Sequence, residues 1–236
     1  MMDPARRAYE TLAPAYDEFT RTNDYEMWLG DLLLPELEGH GLTAGRALDA
    51  GCGTGRAFEP LLRRGWEVVG CDVSPAMLAE ARRKFGEAVP LTIADLRGMP
   101  VLGRFDLVIA LNDVVNYLTG DGDLERALTA MAANLAPGGF VLFDSNTLAT
   151  FRSEYLEAAR AGGIFETTIA TADIEPHVHR QRHFTDGDLE AAIAAAGLEQ
   201  LALLGQRETK ARVELPRHAD QERDRKVICI ARSGRG

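Results

Sequence analysis

Asp49-Ala50-Gly51-Cys52-Gly53-Thr54-Gly55 closes a short apolar run that begins at Arg46, and a stretch with helical character follows it. Glycines at alternating positions let the backbone turn tightly and approach a ligand, and a helix opening there presents unpaired N–H groups. Twenty-one residues after Gly51, Asp72 ends a second apolar run, Trp66 to Cys71. An acidic side chain at that place can accept from both hydroxyls of a ribose. The pairing predicts a nucleoside ligand. A dinucleotide loop needs Gly or Ala at the sixth motif position, where Arg56 stands, so a nicotinamide-dependent oxidoreductase is disfavoured.

Further short apolar runs lie at Leu91 to Ile93, Phe105 to Leu111 and Phe140 to Phe143, several of them β-branched and continuous, as in strands covered on both faces. Between them, Ser74-Pro75 reads as a helix cap and first turn. Asp121 is placed to cap a second helix carrying Leu124, Leu128, Met131 and Leu135 on one face, with Pro137-Gly138-Gly139 as its stop. Such alternation predicts a parallel, doubly wound sheet. Later, Thr185 with Asp188 forms a capping box, and the strand-like runs Leu198 to Leu204 and Val227 to Ala231, with no helix between them, predict an antiparallel hairpin at the sheet edge. Segment 145–184 reads as a helix, Thr147 to Ala161, followed by alternating residues.

The chain has 236 residues, 46% of them hydrophobic, which suits one domain with a full-sized core. A net charge of −10 repels a phosphate backbone, so nucleic acid is not an expected partner. The basic residues Lys210, Arg212, Arg217, Arg223, Arg225 and Lys226 alternate with acidic ones and read as a solvated hairpin loop. Asp3, Arg6, Arg7 and Glu10 interrupt any secretory signal, and no apolar stretch is long enough to span a membrane. Cys52, Cys71 and Cys229 are too few and too scattered for a disulfide framework; a reducing, cytoplasmic location is the expectation.

At this point the chain resembles the class I S-adenosylmethionine-dependent methyltransferases. Asp49 to Gly55 looks like their first motif, and Gly70-Cys71-Asp72-Val73-Ser74 with Met77-Leu78 like the end of their second strand; the resemblance runs from about residue 5 to 232. It implies an α/β, Rossmann-like doubly wound sheet of seven mostly parallel strands with a terminal antiparallel hairpin and a small lid. The single domain, 1–236, would divide into an N-terminal helical lid (1–40), a cofactor-binding core (41–144), a substrate lid (145–184) and a C-terminal helix and hairpin (185–236). The implied cofactor is S-adenosylmethionine, with Gly51, Gly53 and Gly55 forming the loop and Asp72 on the ribose. Val73 and Met77 would pack on adenine, Asp95 would accept from its amine beside Leu96, Leu111 would line the pocket, and Asp49 would help hold the methionyl ammonium. Residue by residue, Met77 also suits a helix core and Asp95 a strand-end cap. The segment Tyr9 to Tyr25 is similar to the lid of small-molecule and amino-sugar N-methyltransferases. Aromatic faces attract a sulfonium, so Tyr16, Tyr25 and Trp28 are candidates for the methionyl end, or else form a helix core.

Methyl transfer from a sulfonium depends chiefly on near-attack geometry, and a proton acceptor is an addition to it. His177, His179 and His183 share one face of an extended segment with Gln181; His179 and His177 are the candidate proton acceptors, against the alternative of a solvent-facing strand. Their spacing would suit a metal, but no carboxylate pattern supports one, and none is expected. Leu111-Asn112-Asp113-Val114-Val115-Asn116-Tyr117-Leu118 resembles the family's acceptor-facing loop, with Asp113, Asn116 and Tyr117 placed to orient a nucleophile or, for Asp113 and Asn116, to cap a short helix. Asp144, Ser145 and Asn146 should face the same crevice. The proline pair of adenine-directed nucleic-acid methyltransferases is missing after Asn112-Asp113, so the expected acceptor is a small molecule. A homodimer is the assembly considered, and a non-catalytic S-adenosylmethionine-binding protein is the competing reading.

Overall fold

The computed structural model describes residues 4–154, 163–171, 174–209 and 212–234. In chain order its strands are β1 (Arg46–Ala50), β2 (Glu67–Asp72), β3 (Leu91–Ile93), β4 (Phe105–Ala110), β5 (Leu135–Asn146), β6 (Ile164–Thr171), β7 (Ile174–Arg182), β8 (Glu199–Glu208), β9 (Val213–Glu214) and β10 (Lys226–Arg232). The main sheet runs β3-β2-β1-β4-β5-β10-β8-β9, parallel through β5, and β10 is antiparallel to both of its neighbours. It therefore has eight strands where seven were expected. The eighth is a two-residue return, Val213–Glu214, that folds back on Arg207 and Glu208 from the segment read as a charged loop.

Helices cover both faces. α1 (Pro4–Leu12), α2 (Tyr16–Phe19), a π-helical stretch Glu26–Leu33 and α3 (Leu34–Gly39) precede the sheet, followed by α4 (Glu59–Arg63), α5 (Pro75–Phe85), α6 (Asp123–Ala133), α7 (Leu148–Glu154) and α8 (Asp186–Ala195). Leu29, Leu33 and Leu37 pack with Phe58 and Leu61 on one face, and Leu128 and Met131 of α6 with Leu189 and Ile193 of α8 on the other. Between them Leu107, Val108, Ile109 and Ala110 of β4 lose all contact with solvent, which explains the continuous apolar run.

Local signals acted where they lie beside their targets. Ser74 Oγ accepts from Met77 N at 3.2 Å, and Thr185 and Asp188 form the reciprocal capping box. The second helix departs from expectation at both ends. Gly122, at φ +71°, occupies the cap, while the Asp121 carboxylate pairs with Arg182 at 3.0 Å. Asn134 ends the helix: its side chain accepts from Leu102 N at 2.7 Å and donates to the Pro100 and Ala130 carbonyls. Leu135 and the Pro137-Gly138-Gly139 stretch thus belong to β5, not to a helix stop.

β6 and β7 form a separate antiparallel ribbon against which α1 packs. The helix expected over 147–161 is present as α7; residues 155–162 lie outside the described residues. All three cysteines are free and buried. Among the described residues no helix is long and apolar enough to cross a membrane.

Candidate active site

The loop after β1 needs its glycines for different reasons. Gly51 has φ +91°, and its N–H donates to the Cys71 carbonyl at 2.8 Å; a Cβ there would stand 2.6 Å from Val114. Gly53, at φ +53°, donates to Asp72 Oδ2 at 2.8 Å, and the space beside it is open except for Tyr16, 4.0 Å from where a Cβ would sit. Gly55 faces away from the cavity, and its hydrogen stands where a Cβ would be 2.5 Å from the rings of both Phe58 and Phe85. Its packing against the two rings sets it apart from Gly51 and Gly53, which line the cavity.

Asp72 closes β2 with Oδ1 accepting from Ser74 N at 2.8 Å, so the carboxylate is aimed by two backbone donors while each oxygen keeps acceptor capacity. Burial pushes its pKa up and these donors oppose the shift. It borders a cavity walled by Val73, Met77, Leu96 and Leu111, with Tyr16 and Tyr25 at its lid side. Met77 is also a core residue, 1% exposed. Asp95 borders the cavity too, but Arg97 grips both its oxygens (Nε at 2.9 Å, Nη2 at 2.5 Å) and lowers its pKa; the strand-end cap is the structure it makes here. Asp49 lies behind the glycine loop, fully buried, with neither carboxylate oxygen hydrogen-bonded; burial and the Asp72 charge push its pKa well up. An arriving cation would relieve that.

The N-terminal helices are tied to this loop. Asp17 accepts from Thr54 Oγ1 at 2.5 Å and pairs with Lys84 at 2.8 Å. Arg56, at the sixth motif position, donates to the carbonyl and hydroxyl of Thr20 and to the Asn23 carbonyl, and lies 5.3 Å over the Tyr25 ring.

A second cavity of about 610 Å³ adjoins the first and shares Tyr9, Tyr16, Tyr25, Asn112 and Tyr117 with it. The Tyr117 hydroxyl and His179 Nδ1 share a hydrogen bond of 2.7 Å, and Tyr9 meets both rings edge-on at 5.3 and 5.6 Å. Burial raises the pKa of Tyr9, Tyr16 and Tyr117, so the phenols stay protonated. His179 is buried in this wall, which overturns the solvent-facing alternative. His177 lies in the same strand, with its side chain outside the described residues. His183 turns away to Gln221, at 3.0 Å, and Phe151. Among the described residues no group of three or more His, Cys, Asp or Glu is arranged to hold a metal.

Asn112 and Asp113 follow β4 in left-handed conformations, φ +68° and +58°. The buried Asp144 carboxylate accepts from both their N–H groups, at 2.6 and 2.9 Å, and from Lys226 Nζ at 2.5 Å. Lys226 also reaches Asp113 at 3.4 Å and lies 5.4 Å from the Trp28 ring centre, while Gln181 donates to the other Asp113 oxygen. Burial drives the Asp113 pKa up to about 6; Lys226 and Gln181 hold it down and Asp144 pushes it further up. Lys226 itself is disfavoured as a cation by burial, but the two carboxylates outweigh this and raise its pKa.

Trp28 borders the second cavity rather than the first. Asn116 is a buried strut, donating to Ser145 and the Arg182 carbonyl and accepting from Asn146 N, so it does not face an acceptor. Tyr9, Arg56 and Lys226 were not predicted. Lys226, expected in a solvated loop, is the first residue of β10, and its place directly before the apolar run Val227 to Ala231 was the available signal.

A doubly wound sheet with a pocket at its switch point, bordered by a glycine loop and a strand-end aspartate, and a joined second chamber defines a two-ligand α/β protein. Comparison narrows this. A family profile described as "Methyltransferase domain" matches residues 47–139. The dTDP-3-amino-3,6-dideoxy-alpha-D-glucopyranose N,N-dimethyltransferase of Streptomyces fradiae is 31% identical over 188 residues, 67% of this chain and 72% of that one. A Bacillus subtilis protein named as a methyltransferase is 33% identical over 141 residues, and the match spans 58% of this chain but only 54% of that relative. The crystal structure of an S-adenosylmethionine-dependent methyltransferase from Clostridium acetobutylicum superposes with a TM-score of 0.75 over 96% of this chain and 99% of that one, at 20% identity. The chain belongs to the class I S-adenosylmethionine-dependent methyltransferases. The residues present fit that cofactor: an unpartnered buried carboxylate, Asp49, stands behind the loop, and tyrosine faces border the pocket where a sulfonium would come.

Proposed function

We propose that the protein methylates nitrogen or oxygen of a polar small molecule held in the second chamber. The observation that carries this reading is the shared wall: Tyr9, Tyr16, Asn112 and Tyr117 border both cavities, so ligands in the two would meet there. When bound, S-adenosylmethionine supplies an electrophilic methyl carbon, which bonds to the acceptor's lone pair as the carbon–sulfur bond breaks toward sulfur. Asp72 holds the ribose, Val73, Met77 and Leu96 hold the adenine, and Tyr16 and Tyr25 face the sulfonium, with Asp49 behind the loop compensating the methionyl ammonium. Asp113 takes the proton that the acceptor sheds, and Tyr117 with His179 orients the nucleophile.

The S. fradiae relative is named for an amino-sugar nucleotide, and a chamber lined by Asp113, Gln181, Asn146 and His179 suits an acceptor of that polar kind. We place the protein in the cytoplasm, as a single domain with two lids, with no nucleic-acid partner given its charge of −10, and as a candidate homodimer. Titration calorimetry with S-adenosylmethionine, S-adenosylhomocysteine and NAD tests the cofactor. Tight binding of the first two and none of NAD is expected, and preference for NAD would overturn the reading.

A further inference from the structure

Three ionised or ionisable side chains from three strand ends meet below the acceptor chamber: Asp113 after β4, Asp144 in β5 and Lys226 at the start of β10. Their meeting is fixed by the sheet, since β5 lies between β4 and β10 and Lys226 stands opposite Asn146 in the antiparallel register. Asp144 is fully buried and uses both oxygens on the Asn112 and Asp113 N–H groups. Lys226 Nζ bridges Asp144 at 2.5 Å and Asp113 at 3.4 Å. Two carboxylates this close and this dry repel one another unless a cation stands between them. The turn they hold has two successive non-glycine residues in the left-handed region, a conformation that persists only where its surroundings impose it.

We propose that Lys226 is a positioning residue of the methyl-transfer site: paired with Asp144, it holds the Asn112–Asp113 turn and places a compensating charge beside the Asp113 carboxylate at the floor of the acceptor chamber. The inference rests on the methyl-transfer reading for its purpose, though the contact itself does not. Lys226 does not touch the reacting atoms; it acts through Asp113. Among the described residues, Asp113 is also faced by the Asp144 carboxylate from β5, by the Gln181 amide from β7, and by the phenols of Tyr9, Tyr16 and Tyr117, which burial keeps uncharged. Lys226, at 3.4 Å, lowers the pKa of Asp113 against the burial that raises it.

The test is a pH titration of protein labelled with ¹³C at aspartate carboxyls, the Asp113 signal being identified by its loss in Asp113→Asn. In the wild type its midpoint should fall near 6. In Lys226→Met it should move up by about one to three pH units, and in Lys226→Arg, which restores the charge, it should return toward the wild type. An unmoved midpoint in Lys226→Met overturns the proposal. If that variant does not fold, the wild type still decides: the Lys226 ¹⁵Nζ shift must titrate with the Asp113 midpoint, and a lysine signal blind to it refutes the contact. In parallel, the acidic limb of kcat/KM is followed with S-adenosylmethionine and a dTDP-linked 3-amino sugar as acceptor probe. The limb should move with the carboxyl midpoint in each variant, and a limb that stays fixed while the midpoint moves overturns the positioning role. A wild type that methylates no amine or hydroxyl probe while Lys226 and Asp113 titrate together would count against the methyl-transfer reading alone.

Discussion

Gly55→Ala and Gly53→Ala should separate two uses of glycine within one loop. At position 55 the backbone sits at φ +89°, where an L-residue costs about 1–2 kcal/mol. The new Cβ would stand 2.5 Å from the rings of Phe58 and Phe85, which pack at 4.9 Å between centroids, and overfilling a packed core costs about 1–3 kcal/mol more. Alanine returns about 0.4–1 kcal/mol by narrowing the unfolded ensemble, so the net loss centres on about 3 kcal/mol. For a chain of this length that lowers Tm by about 6–12 °C. At position 53 the conformation costs about 1 kcal/mol and the methyl meets nothing closer than Tyr16 at 4.0 Å, so Tm should fall by only a few degrees. That methyl would, however, stand where the ligand approaches the backbone, and affinity for S-adenosylhomocysteine should fall by at least about tenfold, some 1.4 kcal/mol. Differential scanning calorimetry and ligand titration on both variants check this. A Gly55→Ala protein that melts with the wild type but loses the ligand would refute the assignment of Gly55 to packing.

Asp72→Ala removes an acceptor for two ribose hydroxyls; at about 1.5–3 kcal/mol per charge-assisted bond, S-adenosylhomocysteine affinity should drop by about 100-fold or more in calorimetry. His179→Ala should lower turnover while leaving that affinity close to wild type, because His179 borders the second cavity and not the first, and Tyr117→Phe, which cuts the 2.7 Å hydrogen bond but keeps the ring on the shared wall, should do the same. The rate should rise with pH through about 6 as Asp113 ionises. The same raised pKa costs stability above pH 6 and the cost fades as the pH falls toward the unfolded value of 3.8, so Asp113→Asn should raise Tm at neutral pH more than in acid. Arg56→Met should speed proteolysis of the N-terminal lid, since it cuts the bonds to Thr20 and Asn23.

What the sequence disclosed depended on distance along the chain. The glycine loop, Asp72, the Ser74 cap and the Thr185 capping box are complete within a few residues, and each was readable as it stands. The first five strands followed from short apolar runs, buried on both faces in β4 and only half-buried in the edge strand β3. The helix before β5 was misjudged because its two ends are fixed from elsewhere: Asp121 is taken by Arg182, and Asn134 ends the helix through carbonyls around Pro100. The acceptor side is assembled almost entirely at long range, from Tyr9, His179 and Lys226, whose separations of 170 and 47 residues no local pattern encodes. Lys226 in particular looked like one more surface charge, since only the antiparallel insertion of β10 beside β5 carries it inward.

The same sheet order explains why the strained turn after β4 can exist at all. Two consecutive left-handed residues would cost about 1 kcal/mol or more each if left alone, and Asn and Asp are the types that tolerate it best. Asp144 offsets that cost with two N–H acceptances, and a carboxylate buried there needs a counter-ion. Lys226 meets that need because β10 enters the sheet between β5 and β8, at the end where the parallel strands deliver their ligands. A charge arrangement costly to bury is thereby tied to the end of the sheet where the Asp113 carboxylate, its pKa raised to about 6, borders the second cavity.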